Sequence, residues 1–275
     1  MRKLLSLALS LALIFALCAP AMAEMQTLVI GATPSPHAEI LEFIKDDMAA
    51  LGYNLNITIF TEYPLPNPAL DAGELDANYF QHIPYLDAYN QTVDANRQLV
   101  AAIGVHYEPF AIYGGKTKSL DALADQAVIT VTNDPSNETR ALLLLQEAGL
   151  ISLPEGASVN DALTVLDIDN PRGFDIREID ANQLPSTLED VDIAVINGNF
   201  ALDAGLSPAS DGLFLEPADG EAGQIYTNYV VVRPEDAEAQ WVSDLRSVLC
   251  SEKVRTFILE KEDFKGGVIP AFTVE

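Results

Sequence analysis

The chain has 275 residues, 49% of them apolar, and a formal net charge of −26. A surface this acidic repels phosphate backbones and anionic lipid headgroups, which excludes nucleic-acid binding and electrostatic docking on a membrane. The acids are spread without long runs, as on a solvated face, so the charge does not by itself demand a cationic ligand. Cys18 and Cys250 form no Cys-x-x-Cys pattern and provide neither a disulfide framework nor a metal motif.

Arg2 and Lys3 precede an apolar run from Leu4 to Leu17, and Ala21-Met22-Ala23 follows it. This is the layout of a secretory signal peptide over residues 1–23, because the run is too short to span a bilayer comfortably. Cleavage is expected after Ala23. Lipid attachment at Cys18 competes with it, although Leu17 stands where lipidation normally wants a small residue. Either way the mature chain is expected outside the cytoplasmic membrane, periplasmic or extracytoplasmic, free or lipid-anchored. It keeps about 250 residues, enough for two cores.

Strand and helix patterns then alternate. Residues 27–32 read as a buried strand, and Ser35-Pro36 as a helix start. The stripe Ile40, Phe43, Ile44 and Met48 continues one helix to Ala50, where Gly52 stops it. Residues 54–61 alternate as a second strand. A proline-rich turn from Tyr63 leads to a short helix over 68–72, a strand over 76–80 and a helix from Pro84. Residues 98–105 and 107–113 look extended. Strand 127–132 precedes an apolar helix over 138–148, and 174–179 and 191–196 are further strands. Residues 201–204 read as helical, 225–232 as a returning strand, and 235–249 and 251–260 as terminal helices, with Cys250 on an apolar face.

This alternation predicts an α/β fold with parallel sheets covered on both faces. In about 250 residues it suggests two lobes with a ligand cleft between them. The expected division is 24–110 plus 225–275 for a discontinuous first lobe, and 111–224 for the second. Ligands of open α/β sheets bind beyond the carboxyl ends of strands, where helix N-termini point free N–H groups.

The chemistry-bearing residues fall at such positions. Arg140, expected in the first turn of its helix, opposes the helix dipole unless an anion compensates it. It could take a ligand carboxylate in a two-pronged bond, or pair with Glu138 or another acid. Asn137, Asn197 and Asn228 offer uncharged donors and acceptors suited to a zwitterion, or simply cap turns. Tyr63, Phe80 and Tyr85 could wall an apolar slot suited to a thioether, or pack in the core.

His37, His82 and His106 match no compact metal spacing, so no metal site is expected. No nucleophile elbow, phosphate loop or dinucleotide turn occurs either. The expectation is a protein without catalytic residues or cofactor.

The segments GATPSPHAEIL (31–41), FTEYPLPNPALDAGELDANYFQHIPYL (60–86), NDPSNETRALLLLQEAGL (133–150), QLPSTLEDVDIAVINGNFALDAGL (183–206) and IYTNYVVVR (225–233) resemble the methionine-binding NlpA/MetQ-type substrate-binding proteins. That resemblance implies a two-lobed periplasmic-binding-protein fold of type II-like form. It also implies a monomer that delivers L-methionine or a close analogue to the transmembrane subunits of an ABC permease. On the matching positions Arg140 would clasp the α-carboxylate with Asn137 and Asn197 beside it, and Asn228 would bind the polar head. Tyr63, Phe80, His82 and Tyr85 would enclose the side chain. Rival cargoes are another apolar amino acid, D-methionine, a methionine-containing dipeptide or a metal ion, and the rival class is an enzyme reusing the two-lobe fold.

Overall fold

A computed structural model describes residues 25–217, 221–264 and 266–274. The expected signal segment and Cys18 lie outside the described residues. The chain opens with β1 (Gln26–Ala32), a turn through Pro34–Ala38, and helices α1 (Glu39–Phe43) and α2 (Lys45–Ala50). The single helix expected here is broken at Ile44 (φ −97°, ψ 0°), yet Ile40, Ile44 and Met48 still share a buried face. Gly52 ends α2 at a φ of +91°, which an L side chain rarely adopts. There follow β2 (Tyr53–Ile59), α3 (Pro66–Asp71), β3 (Ala77–His82), α4 (Ile83–Asn90) and β4 (Val100–Tyr107).

The next stretch contains β5 (Ala111–Gly114), β6 (Val128–Thr132), α5 (Pro135–Glu147), β7 (Asp175–Ile179) and α6 (Leu184–Thr187). It continues with β8 (Ile193–Ile196), α7 (Gly198–Asp203), α8 (Pro208–Asp211) and β9 (Gly212–Leu215). The chain closes with α9 (Glu221–Ile225), β10 (Thr227–Val232), α10 (Gln240–Leu249), α11 (Glu252–Glu260) and β11 (Ile269–Pro270).

Two sheets form, in the orders β11-β4-β10-β3-β1-β2 and β7-β6-β8-β5-β9. The chain therefore passes between them twice, after Tyr107 and before Thr227. The expected all-parallel sheets are in fact mixed. β1 runs parallel to β2 and β3, and β6 runs parallel to β7 and β8. However, β10 lies antiparallel between β3 and β4, and β5 antiparallel between β8 and β9. Both are the strands that arrive from the other sheet. A strand fed by a helical crossover enters at the same end as its neighbour, whereas one arriving across the cleft enters at the opposite end.

Each sheet is covered on both faces. On the first, Ile30, Val105 and Val230 pack with Leu245 of α10 and Ile258 of α11, while Leu70, Leu86 and Val231 fill the other side. On the second, Ile129, Val131 and Val195 pack against Leu142 and Leu145 of α5, while Tyr113, Ala194 and Phe200 occupy the opposite face. Two doubly covered sheets explain why the strands read as continuous apolar runs. Among the described residues no helix is long and apolar enough to cross a membrane.

The two terminal helices rest on the first core, so their buried leucines should govern its stability. Leu245→Ala, at a fully buried position, is expected to cost about 2–5 kcal/mol in urea unfolding. Leu259→Ala, at a side chain 53% exposed, should stay within about 0.5 kcal/mol of the parent.

Candidate functional site

Eight side chains singled out from the sequence line one cavity between the sheets. Tyr63 comes from the turn after β2, and Phe80 and His82 from the end of β3. Tyr85 stands in the first turn of α4, Asn137 and Arg140 on α5, Asn197 at the start of α7, and Asn228 on β10. All but Asn228 lie at the carboxyl ends of strands or in the helices that follow them, and Asn228, at the amino end of the antiparallel β10, pairs with His82 at the carboxyl end of β3.

Helix α5 begins three residues earlier than the sequence reading placed it. The Asp134 carboxylate accepts from the Asn137 backbone N–H at 3.0 Å, and Pro135 takes the first helical position. Arg140 therefore sits in the second turn, beyond the strongest part of the helix dipole. Glu138 does not compensate it, since that carboxylate accepts from the Val165 N–H at 3.1 Å.

The partner of Arg140 is Glu216. Arg140 Nε donates to Glu216 Oε1 at 2.9 Å, Nη2 donates to Oε2, and Nη2 also reaches the Glu108 carbonyl at 2.9 Å. The guanidinium carbon stands 4.0 Å from the Phe110 ring centroid and 3.8 Å from that of Tyr226. Glu216 also accepts from the Tyr107 hydroxyl at 2.5 Å and the Phe110 N–H at 3.2 Å. Burial opposes its charge, but Arg140 and these bonds hold its carboxyl below the ordinary range. Of the two roles left open for Arg140, the ion pair is formed.

Hydrogen bonds cross the cleft. The Tyr63 hydroxyl donates to Asn199 Oδ1 at 2.5 Å, and the Ser35 N–H to Asp203 Oδ1 at 3.1 Å. His82 Nδ1 accepts from the Tyr85 N–H at 3.2 Å, which assigns the proton to Nε2, and Nε2 meets Asn137 Oδ1 at 2.9 Å. Tyr63, Phe80 and Tyr85 form the apolar wall, with ring centroids 5.5, 5.7 and 5.9 Å apart. Two buried amide atoms on the cavity wall, Asn197 Oδ1 and Asn199 Nδ2, have no hydrogen-bond partner among the described residues. Buried polar atoms are normally paired, so these mark where a solute's own donors and acceptors fit.

Sequence reasoning missed Glu108, Phe110, Gly198 and Asn199, which line the same cavity, and Gln81, between Phe80 and His82, joins them. Gln81 and Asn199 neighbour residues that were chosen. Glu108 had one usable signal, an acid set between Tyr107 and Phe110 in an extended stretch. Gly198 is required by proximity, since a Cβ there would stand 2.6 Å from the Glu108 Cβ.

The histidines also contradict their spacing. His37 and His106 converge with Glu108, their ligating atoms all within 4.8 Å, while His82 stands apart. His106 Nε2 lies 2.7 Å from Glu108 Oε1 and His37 Nε2 3.5 Å. Two ligands on a tetrahedral zinc stand roughly 3.3 Å apart, so the shorter contact is spaced as a hydrogen bond. His37 Nδ1 meets Thr33 Oγ1 at 2.7 Å, His37 Nε2 meets Asn228 Oδ1 at 3.1 Å, and His106 Nδ1 bonds the Tyr79 hydroxyl.

Burial lowers all three rings from the ordinary 6.5, to about 4 for His37 and to about 3 for His82 and His106. An unfolded chain takes up protons below pH 6.5 that the folded protein refuses, so this stability is complete above pH 6.5 and falls with acidification. The slope is at most about 1.4 kcal/mol per pH unit for each histidine. Carboxyls raised by burial, Glu138 to about 8 and Asp203 to about 6, act in the opposite direction over the same window, so the readout is a difference: as pH falls from 6.5 to 5, wild type should lose more melting temperature than His82→Gln. Parallel profiles for the two proteins would contradict the burial of the His82 ring.

The NlpA lipoprotein family model matches residues 28–272. The D-methionine-binding lipoprotein MetQ of Escherichia coli K12 is 39% identical over 235 residues, 84% of this chain and 82% of that protein. A nutrient binding protein from Burkholderia cenocepacia, solved bound to methionine, superposes with a TM-score of 0.82 at 41% identity. The match covers 89% of this chain and all of that one. An ABC transporter periplasmic substrate-binding protein from Coxiella burnetii gives 0.80 at 38%, covering 89% and 100%. The two-sheet architecture is thus the two-lobed fold of periplasmic substrate-binding proteins. With the match running from the first strand nearly to the C-terminus, the chain belongs to the NlpA lipoprotein family.

Proposed function

We propose that this protein is an exported, non-enzymatic receptor that captures methionine between its lobes and delivers it to the transmembrane subunits of an ABC permease. One observation carries the reading: residues from both sheets meet at a single cavity whose walls combine an aromatic box with unpaired amide groups. The signal-peptide pattern of residues 1–23 supports export, with Cys18 as the lipid anchor if that residue is retained.

The lobes are 24–110 with 225–275, and 111–224, hinged where the chain crosses. In the closed form Arg140 turns its guanidinium to the solute's α-carboxylate, beside Asn137 and Asn197. Asn228 holds the polar head, and Tyr63, Phe80, His82 and Tyr85 take the thioether side chain. Closure shifts a population, because the solute touches both lobes only when they meet. A non-enzymatic role is supported by His82, whose ring nitrogens are both engaged and whose burial keeps the ring neutral. The protein acts as a monomer without cofactor.

Relatives named for D-methionine make stereochemistry part of the test. Residues 24–275, unfolded and refolded to strip carried solute, should bind L- or D-methionine saturably in titration calorimetry. Arg140→Ala should abolish binding and also destabilise the protein, because it strands the buried Glu216. Tyr63→Phe removes only the cross-cleft bond to Asn199 and should weaken binding by about fivefold, the worth of one net hydrogen bond. A folded protein giving no heat with any amino acid would sink this reading.

A further inference from the structure

Glu108 is the cavity-lining acid that the pocket does not neutralise. Arg140, the nearest guanidinium, spends its Nε and Nη2 on the Glu216 carboxylate and touches Glu108 through the carbonyl oxygen. The Glu108 carboxylate instead meets His106 Nε2 at 2.7 Å and His37 Nε2 at 3.5 Å. Both rings are buried, and burial holds both in the neutral form. These contacts orient the carboxylate without supplying a charge. No lysine or arginine pairs with it among the described residues. Burial accordingly pushes its carboxyl up, against the pull of His37, Arg140 and the Asn199 N–H.

A buried carboxylate with neutral partners is costly until a cation reaches it. The residues around it point to where that cation comes from. Glu108 and Asn228 both line the cavity, and His37 Nε2 contacts both, at 3.5 and 3.1 Å. Asn197, on the same cavity, holds a buried acceptor oxygen without a protein donor. Two acceptors thus accompany the anion, and the close approach of Glu108 to α7 depends on Gly198. His37 and His106, held in turn by Thr33 and the Tyr79 hydroxyl, fix the acid, and Glu108 lines the cavity.

Resting on the functional reading above, we infer that Glu108 is the anion against which the bound solute's α-ammonium is set. It makes the pocket select solutes with a free amine, and His37 and His106 are its positioning residues. Selection follows because a carboxylic acid lacking the amine would leave Glu108 buried without a counter-charge, and a repelled carboxylate nearby.

The test is a paired titration of full mature protein with methionine and with 4-(methylthio)butanoate, which lacks only the amine. Wild type should prefer methionine by about a hundredfold or more, the scale of one partner of a buried charge pair. Glu108→Gln should lose about that factor for methionine while leaving the amine-free acid within about threefold, so that the preference collapses. His106→Gln, which keeps the acid and loosens it, should lose part of the preference, and it carries the test if Glu108→Gln fails to fold. Equal losses for both compounds, or an unchanged preference, would overturn the inference while leaving the functional reading intact. Wild-type protein that binds neither compound overturns both.

Discussion

The guanidinium of Arg140 is buried against the rings of Phe110 and Tyr226, and the Glu216 carboxylate balances its charge there. The rest of the site depends on this arrangement. Phe110 and Glu216 belong to the two segments where the chain leaves one sheet for the other, just before β5 and just after β9, and Tyr226 immediately precedes β10. Arg140 itself stands on α5 of the second lobe. A charge placed so deep is tolerable only with its partner held by further donors, which the Tyr107 hydroxyl and Phe110 N–H provide. One ion pair therefore ties the polar end of the cleft to the crossing segments.

A carboxylate at that end of the cleft meets a guanidinium already half satisfied. Its full charge is not free to attract an anion at long range, so a carboxylate gains from Arg140 mainly directed hydrogen bonding. This suits a receptor that must release its cargo, because an unpaired buried arginine would be costly in the empty protein. The Glu108 carboxylate itself meets the neutral rings of His106 and His37, a chain that runs from the Tyr79 hydroxyl to Asn228. The pocket is thus lined by a guanidinium tied to Glu216 and by a carboxylate that no lysine or arginine pairs with among the described residues.

The cross-cleft bonds are few and polar, while each sheet has its own apolar cores. Tyr63 with Asn199, His82 with Asn137 and Ser35 with Asp203 join surfaces that water can also satisfy.

Most of the secondary structure and all eight chosen cavity residues were legible in the chain. Strands buried on both faces read as apolar runs, and the chosen cavity residues other than Asn228 follow the carboxyl ends of strands. The start of α5 was misread because the apolar stripe begins after its Asp134-Pro135 cap, and the antiparallel placement of β5 and β10 was not visible. Local periodicity records what a segment buries, not the direction from which it arrives. Sequence alone therefore determined the elements, the two-lobe division as an expectation, and the residue types around the cleft. Only tertiary structure decided that Glu216 rather than Glu138 partners Arg140, and that His37, His106 and Glu108 share one cluster. Electrostatic pairing acts over a few ångströms in space, and those distances arise only when segments far apart in the chain are packed together.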